Sequence, residues 1–392
     1  MRISVVLSFL IALAITCSIP TNKPEELVVV EQNWDEAQKL AEKYDLLILM
    51  DFYTDWCGPC KVFDAQLQNQ EFADSLAAHY LVFKYDAEKK DSFNLALKHH
   101  VTSYPTYIVS TAKGDIINKQ YGRFEETPES LAKFFQFLHQ GVEGHEQKKY
   151  LTGITKDTLS FPQFYVEHLN REKKYEVKDW EAYWQEHANL QTETEFAVLL
   201  GLGGPESVYA NLIRDRNAYE QRFGKADVYH ALEYHCHQQL ENAILSQDSN
   251  KFAAALTQAE QLFNAEDADR FIPEYKELFW VETERWDLIA NQVKANLKAG
   301  NLSRNDLNRY AWKIQEYSND LRADELALHW MDSLTQIDSS YAYLDTYAWL
   351  LYKDGQRQKA LTTIQSCIRQ GEKMGENMAF SKELETVLNS EI

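Results

Sequence analysis

Cysteine is scarce in this chain, with five among 392 residues, and only Cys57 and Cys60 are spaced as a CxxC pair. A structural zinc site needs a second such pair or a Cys/His set nearby, and the sequence supplies neither, which argues against a metal. Basic clusters are missing too. Beyond pairs such as Lys148-Lys149 and Lys173-Lys174 there is no run of Lys or Arg, and the formal net charge is −20. Nucleic-acid phosphates would be repelled, so that class of partner is excluded, and the acidity is read as serving solubility. Long apolar runs are also lacking. Ile3 to Ile15 follows Met1 and Arg2 but falls short of the roughly 20 residues that a bilayer span requires.

What is present centres on Trp56-Cys57-Gly58-Pro59-Cys60. Leu47 to Met50 followed by Asp51-Phe52-Tyr53 predicts a buried strand. The apolar positions Val62, Phe63, Leu67, Phe72 and Leu76 predict a helix starting at Cys57. Two cysteines three apart at a helix start can close a disulfide without moving the backbone. Unpaired N–H groups and the helix dipole favour a thiolate at Cys57, which makes it the attacking sulfur. Cys60, one turn further in, is expected to resolve. Pro59 sits in the first turn, where a missing N–H costs nothing. An inert structural disulfide is the bland alternative.

With these residues in place, the stretch from about Leu27 to Gln140 resembles the thioredoxin family, and an α/β thioredoxin fold is expected over residues 27–141. The resemblance implies a buried Asp51 beneath the cysteines, acting as acid and base toward Cys60, and Lys84 as its partner. It also places Tyr104-Pro105-Thr106 as a cis-proline loop, Gly114 in the turn between the last two strands, and Gly122 at the groove edge. Trp56, Gly58, Pro59, Tyr104, Pro105 and Gly122 would form the substrate groove, with no cofactor and no metal. Tyr53 and Asp55 depart from the usual cytosolic pattern and look more like envelope thioredoxin-like domains of bacterial disulfide reductases. The Gly58-Pro59 pair is typical of reducing members.

Residues 1–17 fit a secretory signal peptide and 18–26 a tether. Ala14-Ile15-Thr16-Cys17 resembles the bacterial lipobox, although Ala14 and Thr16 are not the favoured residues there. Lipidation of Cys17, ordinary cleavage and an uncleaved anchor all remain open. The expected location is the periplasm or envelope. Cys236 and Cys367 lie in helical sequence and are expected as buried free thiols rather than a bridge.

A polar, glycine-containing hinge is expected over 142–150, followed by helices over 151–300. Gly201-Leu202-Gly203-Gly204-Pro205 lacks the flanking strand and Lys-Ser/Thr of a phosphate loop, so it is read as a helix terminator. His235-Cys236-His237 are consecutive on a helix, point about 100° apart and cannot converge on one ion. Residues 301–392 repeat themselves. Tyr310-Ala311-Trp312 recurs as Tyr347-Ala348-Trp349, and Ala327-Leu328 as Ala360-Leu361, with offsets of 37 and 33. These bracket the tetratricopeptide period of about 34. Leu344, Tyr347, Ala348, Leu351, Gly355, Ala360 and Ile364 resemble that pattern, whereas the first copy is expected to carry a longer inter-helix segment around Ser318 to Asp324.

Two functions compete at this point. One is an envelope thiol–disulfide oxidoreductase acting on cysteine-containing exported proteins and supplied by an upstream thiol or membrane electron donor. The other is an interaction scaffold in which the helical repeats bind partners and the redox domain is a clamp.

Overall fold

A computed structural model describes residues 23–89, 94–122, 127–155 and 160–390. The first element, β1 (Val29–Glu31), leads into helix α1 (Trp34–Tyr44) and strand β2 (Leu47–Tyr53). Two short helices follow, α2 (Gly58–Leu67) and α3 (Gln70–Ala77), then β3 (Tyr80–Asp86), α4 (Leu95–Lys98), β4 (Thr106–Ser110), β5 (Ile116–Tyr121) and α5 (Pro128–Glu146). The strands form one mixed sheet in the order β1-β3-β2-β4-β5. β1 and β2 run parallel to β3, while β4 runs antiparallel to both β2 and β5.

Both faces of the sheet are covered, so β2 is apolar almost throughout rather than alternating. Ile48, Met50 and Phe52 face a core with Trp34, Ala37 and Ala41 of α1. Leu47 and Leu49 face the opposite core, with Phe63, Phe72, Phe134 and Phe137. The helix expected from Cys57 through Leu76 is two helices. Asn69 breaks it by capping the second, its side chain accepting from the Phe72 N–H at 3.2 Å.

The expected hinge over 142–150 is helical through Glu146. Its glycines are packing positions. A Cβ on Gly141 would lie 2.7 Å from the Tyr80 hydroxyl and 2.9 Å from Val109, and one on Gly144 would lie 2.6 Å from Ile117. Only hydrogen lets α5 lie this close to the sheet. Beyond the helix, the Leu151 N–H donates to Ile116 O at 2.8 Å and the Gly153 N–H to Arg222 O at 2.7 Å.

The remaining elements are all helical: α6 (Gln163–Leu169), α7 (Val177–Glu186), α8 (Glu193–Leu202), α9 (Glu206–Arg214), α10 (Arg216–Phe223), α11 (Lys225–Leu245), α12 (Ser249–Leu262), α13 (Ala265–Glu282), α14 (Trp286–Ala299), α15 (Arg304–Tyr317), α16 (Leu321–Ile337), α17 (Tyr341–Lys353), α18 (Arg357–Met374) and α19 (Ala379–Ser390). The chain divides into two compact units at His235/Cys236, inside α11 and not at residue 150.

In the first unit, the early helices are fastened to the sheet by polar contacts. Lys119 of β5 is fully buried, with Nζ 2.9 Å from the Asp227 carboxylate and about equally close to the carbonyls of His99 (3.0 Å) and His100 (3.1 Å). The Tyr121 hydroxyl donates to the same carboxylate at 2.7 Å. The glycine-rich stretch after α8 ends that helix as expected: Gly203 takes a positive φ of 71°, its carbonyl accepts from the Trp180 and Trp184 indoles at 3.2 Å each, and Pro205 precedes α9.

In the second unit, Tyr347, Ala348, Leu351, Ala360, Ile364 and Cys367 are all buried in one core with Tyr310, Ala311 and Ala327. This is consistent with a tetratricopeptide-like arrangement. The longer segment expected between α15 and α16 is absent. Asp320 caps α16 by accepting from the Arg322 N–H at 2.9 Å, and Ala323 and Asp324 are already helical and buried. Cys236 and Cys367 are both buried and are not bridged to each other.

Candidate active site

The chain leaves β2 at Tyr53 and turns through Thr54, whose carbonyl accepts from the Cys57 N–H at 3.1 Å. Cys57 is the N-cap of α2, and its sulfur accepts from the Cys60 N–H at 3.2 Å. The first-turn proline, Pro59, leaves no donor unsatisfied. Cys57 and Cys60 are joined by a disulfide with Cα atoms 5.3 Å apart. In this oxidised form both residues are covered, at 3% and 2% exposure. Gly58 between them meets open space on the side where a Cβ would sit.

Asp51 lies in the middle of β2 and is completely buried, and among the described residues neither carboxylate oxygen has a hydrogen-bond partner. Burial pushes its pKa up to about 7. The Lys84 ammonium opposes the shift and the Asp64 carboxylate adds to it. Lys84 is directly opposite Asp51 in the β2–β3 register, but its ammonium bonds Asp64 of α2 and lies 4.7 Å above the Tyr53 ring. Lys84 therefore acts on Asp51 through its field alone. Asp64 was not foreseen from the sequence, although it follows Cys60 by four residues and shares its face of α2.

The proline loop lies beside the cysteines. The Tyr104–Pro105 bond is cis, and Pro105 O accepts from the Gly122 N–H at 3.0 Å. Gly122 has a φ of 94°, where a side chain would be strained. Gly114 turns the chain between β4 and β5 with a φ of 80°. The Tyr104 ring is edge-on to Trp56 at 6.1 Å. Trp56 is 57% exposed, and its indole N–H donates to Glu88 at 2.9 Å.

Arg171, from the turn after α6, completes this rim. Its guanidinium lies 4.8 Å from the Trp56 ring centre and pairs with Glu88 at 2.6 Å. No pattern in the sequence pointed to Glu88 or Arg171. A cleft of about 870 Å³ lies at the other end of β2 around Leu46 and Leu47, away from the cysteines. Cys17 lies outside the described residues. His235 stacks on Tyr209 at 4.0 Å, and His237 bonds the Tyr275 hydroxyl at 2.7 Å.

Residues 25–136 match the thioredoxin family model. Thioredoxin-T of Drosophila melanogaster is 32% identical over 74 residues, covering 19% of this chain and 45% of that protein. The chloroplastic thioredoxin Y of Oryza sativa subsp. japonica is 34% identical over 79 residues, covering 20% and 45%. The chain thus spans about half the length of these relatives. Among solved structures, spinach chloroplast thioredoxin f aligns over 30% of this chain and 87% of its own, at 20% identity and a TM-score of 0.24. Residues 25–136 are a thioredoxin domain with a Cys57–Cys60 redox pair, followed in the same chain by a long, all-helical region.

Proposed function

We propose that this protein is a thiol–disulfide oxidoreductase that reduces or reshuffles disulfides of exported proteins in the bacterial cell envelope. The observation that carries the chemistry is a disulfide at the N-cap of α2 in the same domain as a buried carboxylate poised near neutrality.

In the reduced protein, the Cys57 thiolate attacks one sulfur of a client disulfide. The client's S–S bond breaks, a Cys57–client disulfide forms and the first client thiolate leaves. Asp51, as carboxylate, takes the proton from the Cys60 thiol. The Cys60 thiolate then attacks Cys57 Sγ, forming Cys57–Cys60 and expelling the second client thiolate. Two electrons pass to the client, and an upstream dithiol or membrane donor returns them. Trp56, Tyr104, Pro105 and Gly122 edge the surface a client would meet.

The envelope location rests on the apolar run Ile3 to Ile15 and on Cys17, the residue a lipid anchor would use. Stacked helix pairs in the second unit favour one further reading, a tetratricopeptide-type scaffold with a redox-sensitive domain. Insulin separates the two: an oxidoreductase accelerates precipitation of its B chain by dithiothreitol, and a scaffold leaves the uncatalysed rate unchanged.

A further inference from the structure

A cleft of about 470 Å³ opens beside the proline loop. Thr102 and Tyr104 form one side, and the other is built from the end of α6 and the turn after it, with His168, Arg171, Lys173 and Lys174. Among the described residues no carboxylate lines it, in a chain with 60 acidic residues against 40 basic ones.

The turn that gathers these cations is well defined. The Arg171 N–H donates to His168 O at 3.0 Å, and the N–H groups of Glu172 and Lys173 both donate to Glu167 O, at 2.9 and 3.2 Å. Arg171 itself takes a left-handed φ of 57°, which reverses the chain and sends it along the cleft. Two of the charges have carboxylates nearby: Arg171 pairs with Glu88 at 2.6 Å, and Lys173 with Glu176 at 3.3 Å. Glu176 is shared with Lys178 at 2.7 Å. Lys174 is exposed and has no carboxylate partner among the described residues.

The cleft also adjoins the redox centre. Arg171 covers the Trp56 ring, and Tyr104 reaches both Trp56 and the cleft wall. An extended segment lying on Tyr104 would run directly into the basic side. We propose that this cleft binds acidic side chains flanking the disulfide of a client peptide, with Arg171, Lys173 and Lys174 taking the carboxylates. The proposal rests on the oxidoreductase reading and adds a substrate class to it. It also predicts a preference against the protein's overall charge of −20, which would repel acidic peptides.

The test uses the full chain with three substrates: a peptide with one internal disulfide flanked by glutamates, the same peptide with glutamines, and hydroxyethyl disulfide, which is neutral and carries no flanking residues. Exposed charge pairs each contribute modestly, so three should favour the glutamate peptide in kcat/KM by roughly tenfold at low salt, with the ratio shrinking as salt is added. In Lys173→Glu/Lys174→Glu the glutamate-to-glutamine ratio should fall to one or below. Equal rates for the two peptides, or a preference untouched by the double substitution, would overturn the proposal while leaving the oxidoreductase reading intact. Failure to reduce any of the three would remove both.

Discussion

Lys84 faces Asp51 across the β2–β3 ladder, yet its ammonium is bonded to Asp64 and not to Asp51. Asp51 is left as a buried carboxyl without a hydrogen bond among the described residues, and its pKa rises to about 7 from the ordinary 3.8. Between roughly pH 4 and 7 the folded protein retains a proton that the unfolded chain has released. Stability should therefore fall as pH rises through that window and then level off. Asp51→Asn should flatten this dependence and be the more stable protein at pH 8, by up to about 4 kcal/mol on the full shift. Urea unfolding of both oxidised proteins at pH 4 and pH 8 measures it. An equal change in stability between the two pH values in both proteins would show that Asp51 is already ionised in the fold well below pH 7.

The same carboxyl gives a kinetic expectation. If Asp51 takes the Cys60 proton, closure of the Cys57–Cys60 disulfide should rise with an inflection near pH 7. Asp51→Asn should be slower by about a hundredfold or more, and the inflection should vanish. Stopped-flow oxidation followed by tryptophan emission reads this. A variant as fast as the native protein from pH 6 to 9 would remove the relay.

Asp227 is the counter-charge for the buried ammonium of Lys119. Burial holds the Lys119 pKa down, and Asp227 opposes that shift. Asp227→Ala leaves a buried cation with its counter-charge gone and the His99 and His100 carbonyls still bonded to it, with an expected loss of about 3–5 kcal/mol in urea unfolding. Lys119→Met combined with Asp227→Leu should lose much less than the two single changes added together. Additive losses would mean that the pair does not act as a unit.

The local features of the domain were legible because each is carried by a short motif. Cys57 and Cys60 with Pro59 and the strand Leu47 to Tyr53 appear where their neighbours in sequence place them, and Tyr104-Pro105 and the turn glycines Gly114 and Gly122 where the thioredoxin resemblance places them. Contacts between distant residues were not legible. Arg171 over Trp56 and Asp227 on Lys119 join residues more than a hundred positions apart, and nothing local marks either partner. The glycines at 141 and 144 misled for a related reason. Their purpose is close approach to Tyr80, Val109 and Ile117, which only the fold reveals, and a polar segment with two glycines otherwise looks like a hinge. Asn69 and Asp320 show the converse: the first caps a helix that apolar spacing ran together with its neighbour, and the second caps a helix that starts inside the segment expected between two repeat helices.

Envelope anchoring makes its own prediction. Expressed in a bacterial host, the protein should partition into the detergent phase through an acylated Cys17, and Cys17→Ser should move it to the aqueous phase. A mature protein with a free N-terminus beyond Cys17 would contradict lipidation.

The assignment of roles to the two sulfurs is the centre of this account, and trapping tests it most directly. Cys60→Ser, incubated with a disulfide-bearing client, should accumulate a mixed disulfide that mass spectrometry locates on Cys57, because the resolving thiol is gone. Cys57→Ser should show neither adduct nor turnover. Adducts on Cys60 in the second variant, with none on Cys57 in the first, would contradict the account.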